Sequence, residues 1–232
     1  MEYEKNNHER ECRGGGVQSL TPRFNAFTLA EILITLGIIG VVAALTVPSL
    51  IQNHKKHVIE TKLKHVYSIM NQAITMSEID NGVISDWGGY KKCQSYVGQV
   101  ICPIDETIVI FDKYIGKYIK YTKIEKMSNN QFFNVYFNNG SILNIHGGLS
   151  DVNFYIDSLA LKHPYKGKNL FNFNIITINK KFEPYTGGWN NTREGLFNTS
   201  IGFGCGERYN NLCTKLIQYS GWKIPDDYPI KF

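Results

Sequence analysis

From Phe27 to Val47 the chain reads FTLAEILITLGIIGVVAALTV, an apolar run with one charge, Glu31. About 20 apolar residues in a helix match the hydrocarbon thickness of a bilayer, so this run predicts a membrane-spanning helix. Past Pro48 the pattern changes. Ile59, Leu63, Val66, Tyr67, Met70 and Ile74 recur three and four residues apart, while Lys55, Lys56, Glu60, Lys62 and Lys64 fall elsewhere. That spacing marks a helix with one apolar face. The two stretches predict one helix from about Ala26 to Ile79, roughly 80 Å long at 1.5 Å per residue. Pro48 would kink it near the membrane interface, and Asp80-Asn81-Gly82 would end it.

Alternation replaces helical spacing further on. Phe132–Phe137 and Ser141–Ile145 flank Asn138-Asn139-Gly140, a hairpin signal. Val152, Phe154 and Ile156 alternate, as do Phe171, Phe173 and Ile175 with Asn172 and Asn174 between them. Three or four antiparallel strands packed on the helix are expected, an α+β class. Residues 83–130 read as a variable connection holding Trp87-Gly88-Gly89 and a short helix over Asp112–Lys120, with Tyr114, Ile115, Tyr118 and Ile119 on its apolar side. The tail from Phe182 is rich in glycine and turns, then predicts a helix over Glu207–Tyr219, stopped by Gly221 and Pro225. The organisation is a leader over residues 1–26, a membrane and amphipathic helix over 27–79, and a head over 80–232.

Charge changes this picture little. The net charge of +5 is spread along 232 residues, so composition alone does not indicate nucleic-acid binding. Lys5, Arg10, Arg13 and Arg23 precede the apolar run and Lys55, Lys56, Lys62 and Lys64 follow it, so positive charge does not fix its orientation. A cleaved secretory signal fits poorly, because the apolar run is too long and no small-residue cleavage site follows it. Cys12 lies in the leader, and the other four cysteines form two close pairs, Cys93 with Cys102 and Cys205 with Cys213. Four cysteines allow three connectivities, of which local pairing is the simplest. Such bonds persist outside the cytosol. His54 and His57 share a juxtamembrane face suited to headgroup contact. Gly202, Gly204 and Gly206 lack the strand–helix setting of a phosphate loop and read as turns. No G-x-S-x-G, HExxH or P-loop pattern is present, so no enzyme, cofactor or resident metal is expected.

The junction Ala26-Phe27-Thr28-Leu29-Ala30-Glu31, with Pro48 beyond it, resembles the prepilin cleavage and methylation motif of type IV pilins and type II secretion pseudopilins. In that family a small residue precedes a Phe that becomes the new N-terminus, and a Glu and then a Pro follow. Ala26 stands where Gly is usual. The resemblance covers about the first fifth of the chain. It implies cleavage between Ala26 and Phe27 by a prepilin peptidase, N-methylation of Phe27, and an assembly role for Glu31. It further implies a pilin-like roll as the head, with a C-terminal region that resembles the disulfide-bounded end of many pilins. The partners it implies are other pilin or pseudopilin subunits, an assembly platform and membrane lipid. The location implied is a single pass of the inner or cytoplasmic membrane, with the head outside the cytosol, and then a pilus or pseudopilus. Some relatives bind calcium in the head, but here Phe154 and Asn169 replace the family's Gly and acidic residue and leave only Asp151 and Asp157 close in sequence. The rival reading is an anchored adhesin or DNA receptor presented at a filament tip. The scattered Lys162, Lys166, Lys168, Lys180 and Lys181 permit it without marking a groove.

Overall fold

Thr28 and Glu31 begin a helix, α1, that runs through Leu29–Asn81. It belongs to a computed structural model of the chain that describes residues 27–84, 87, 94–96, 99–101, 103–128, 130–147, 149, 151–176 and 181–232. The chain divides after Val47 into an apolar helical unit and a head unit that begins at Pro48. In the head unit, α1 buries Ile59, Leu63, Val66, Met70, Ala73, Ile74 and Ser77, the stripe that 3.6-residue periodicity places on one side. Gly82, in the left-handed region at φ 78°, closes the helix with an N–H to the carbonyl of Glu78. The indole Nε1 of Trp87 donates to the Gly82 carbonyl at 3.0 Å, and its ring stacks on Tyr114 at 4.8 Å.

Residues 94–126 are more structured than a variable connection. A small hairpin, β1 (Gln94–Tyr96) with β2 (Gln99–Ile101), precedes helix α2 (Ile104–Tyr114) and a 3-10 turn at Gly116–Tyr118. The helix therefore begins well before Asp112. Pro103 sits at its N-cap, and Ile104, Thr107, Ile110, Phe111 and Tyr114 form its buried side. Cys93 and Cys102 lie outside the described residues.

Six strands, not three or four, then form one antiparallel meander: β3 (Lys123–Lys126), β4 (Phe132–Tyr136), β5 (Ile142–His146), β6 (Asp151–Tyr155), β7 (Leu170–Ile176) and β8 (Lys181–Pro184), in that spatial order. The Asn138-Asn139-Gly140 turn joins β4 to β5 as expected. Gly140 has φ 78°, and the Asn139 carboxamide accepts from the Ser141 N–H and hydroxyl. Alternation gives the sheet two unlike faces. Phe133, Val135, Leu143, Ile145, Val152, Phe154, Phe171, Phe173, Ile175 and Phe182 join the α1 stripe in one core, where Phe173 and Phe182 stack at 4.5 Å.

The register Asn134↔Asn144↔Asn153↔Asn172 aligns four asparagines across β4–β7 on the opposite face. Asn172 Nδ2 donates to Asn153 Oδ1, Asn153 Nδ2 to Asn144 Oδ1 and Asn144 Nδ2 to Asn134 Oδ1, at 2.7, 3.3 and 2.9 Å. Asn134 and Asn144 are buried, so each link satisfies amides that would otherwise be costly to bury.

The two sheet edges are protected differently. The β8 edge is covered from α1: Asn71 Nδ2 donates to the Phe182 carbonyl at 2.8 Å, and its Oδ1 accepts from the Phe182 N–H at 3.0 Å. The β3 edge carries Lys123, Glu125 and Lys126, charges that disfavour further strand pairing. Beyond the sheet, α3 (Ser158–Lys162) lies between β6 and β7, and α4 (Cys213–Tyr219) lies in the tail. The last helix starts later than Glu207, because Gly206 and Asn210 take left-handed backbone conformations. Glu60 on α1 holds the tail by accepting from the Ile224 N–H at 2.8 Å and the Lys223 ammonium at 2.9 Å.

Candidate functional site

Glu31 is the only charged side chain of the apolar run, and its carboxylate turns back to the start of its own helix. Its Oε2 accepts from the Thr28 N–H at 2.8 Å and from the Thr28 hydroxyl at 2.9 Å, while the Thr28 Oγ1 accepts from the Glu31 N–H at 3.2 Å. This is a reciprocal capping box, which satisfies N–H groups that the first turn leaves without intrahelical partners. The helix dipole favours the negative charge there. Thr28 was not singled out by the motif reading, although a Thr three residues before a Glu, ahead of an apolar run, is the sequence signal for such a cap.

Behind the cap, none of residues 27–47 is buried, and Phe27 is 80% exposed. By length and composition, α1 is long and apolar enough to cross a bilayer. Its hydroxyls are turned onto the backbone: Thr35 Oγ1 donates to the Ile32 carbonyl at 3.0 Å and Thr46 Oγ1 to the Val42 carbonyl at 2.9 Å. Pro48 lies inside the helix and removes one donor from its ladder. Ala26 and the leader lie outside the described residues.

The remaining candidates are used within the head. Cys205 and Cys213 form a disulfide with Cα atoms 4.5 Å apart, the local pairing expected for that pair. Glu207 gathers the Thr199 N–H and hydroxyl and the Gly204 N–H, so the glycine-rich loop folds around its own carboxylate. Asp157 caps α3 through the Ala160 N–H, and Asn169 bonds the Tyr165 N–H and the His163 carbonyl. Among the described residues no three His, Cys, Asp or Glu side chains converge on a metal position. His54 and His57 are exposed on α1, with His57 Nδ1 3.9 Å from Glu60. Lys166 donates to Asn211 at 2.6 Å, and its partial burial lowers its pKa. Lys62 donates to the Asn139 and Ile156 carbonyls, its pKa lowered by burial and partly restored by Asp157. Lys180 lies outside the described residues.

The molecule is thus an α+β protein with a lipid-length apolar helix at its N-terminal end. Residues 49–232 match a family described as a family of unknown function, DUF6613, and the chain belongs to it. The matched span begins directly after Pro48. Comparison with curated proteins and with solved structures returns no match.

Proposed function

We propose that this protein is a structural subunit of a type IV pilus or a type II secretion-like filament. In this reading it is trimmed between Ala26 and Phe27, methylated at Phe27 and held by α1 in the membrane until assembly. The observation that carries the reading is the N-terminal junction: the Ala26-Phe27 step, the capped Glu31 and an apolar helix with no buried residue between Leu29 and Val47. An antiparallel meander against the amphipathic half of that helix suits a pilin-like roll. A filament would replace lipid around the exposed side chains with neighbouring helices. A carboxylate closed off from water needs a partner, and the new amine of an adjoining subunit's Phe27 supplies one. Such a head-to-tail contact propagates as an open helix.

The capping box supplies the test. Glu31→Gln keeps a side chain that can close the box but removes the charge, whereas Glu31→Ala removes both. Membrane-bound mature protein and filament-bound protein are followed separately in a strain lacking the wild-type copy, with the mature N-terminus read by mass spectrometry. Insertion and cleavage are expected to persist in both variants, and incorporation to fail in both. Normal incorporation of Glu31→Gln would refute the charge pairing and leave Glu31 as a helix cap. A mature protein that retains residues 1–26 beside an active prepilin peptidase would refute the processing.

A further inference from the structure

We draw no further inference here: the strongest candidate, the open groove that Tyr67, Asn71 and Met76 of α1 form with Trp222 of the tail, is a mainly apolar face of the head, and nothing in the structure shows what covers it.

Discussion

The two halves of α1 use one backbone geometry and have opposite surroundings. Leu36 and Ile38 are each 60% exposed, whereas Leu63 and Met70, in the later half, are fully buried. Propensity does not separate them, since both halves mix leucine, isoleucine and valine with alanine. What differs is the arrangement of polar residues. The first half is apolar on every side, which suits a solvent or neighbour that is itself apolar all round. The second half confines its apolar residues to one stripe and meets one sheet. Helix formation and helix burial are therefore separable in this chain, and the family match, which begins at residue 49, follows the buried half.

The contrast is broken most strongly at Leu63. Leu63→Ala should destabilise the head by about 2–5 kcal/mol through lost burial and a cavity. Leu36→Ala should change head stability by less than about 0.5 kcal/mol. Denaturant unfolding of the detergent-solubilised full chain, followed by tryptophan fluorescence, compares the two. Equal effects would show that the halves do not differ as described.

A polar position in the buried half sharpens the contrast. Asn71→Ala leaves the outward N–H and carbonyl of Phe182 without their side-chain partner, at a cost of about 1–3 kcal/mol. Amide exchange at Phe182 should accelerate, and exchange at β5 in the middle of the sheet should change least.

The smallest expected effect lies at the end of α1. The Tyr118 hydroxyl donates to Asp80 at 2.7 Å and Lys117 lies 3.2 Å away, and together they lower the Asp80 pKa below its ordinary value of 3.8. A carboxylate with a lowered folded pKa contributes stability above its unfolded pKa and loses it as pH falls through the folded one. Asp80→Asn should therefore lower stability slightly at neutral pH and leave it unchanged in strong acid, where Asp80 is protonated in both states, so the acid limb below about pH 4 flattens by the same small amount. Unfolding midpoints across that range provide the measurement.

Much of the architecture was legible in residues that obey one strong periodicity. The Asn138-Asn139-Gly140 turn, the Phe171-Phe173-Ile175 alternation and the α1 stripe each combine local propensity with burial. The strands of the six-stranded sheet that were missed, β3 and β8, are its edges: Lys123-Ile124-Glu125-Lys126 buries almost nothing, and Lys181-Phe182-Glu183-Pro184 has only Phe182 and Pro184 inside. An edge strand needs little apolar sequence, so its pattern is faint. The start of α2 was overlooked although Ile104, Thr107, Ile110, Phe111 and Tyr114 follow helical spacing behind Pro103. The asparagine ladder was beyond sequence reading, because its members meet only through the register of four strands. At the candidate site, the charge and the proline were evident, whereas the capping role of Thr28, signalled by its place three residues before Glu31, is recognised from its bonds to Glu31.

The bond from Glu60 to the tail has a consequence in time. Its partners stand 164 residues apart, and those of Asn71 stand 111 apart, whereas the meander joins neighbours along the chain. Loop-closure cost rises by about 0.6 kcal/mol with each doubling of length, so strands that follow one another meet long before α1 finds the end of the chain. By that cost alone, the meander is expected to form ahead of the bonds from α1 to β8 and the tail. Until β8 and the tail arrive, the cover of the stripe from Ile59 to Ile74 lacks Phe182, Ile217 and Ile224.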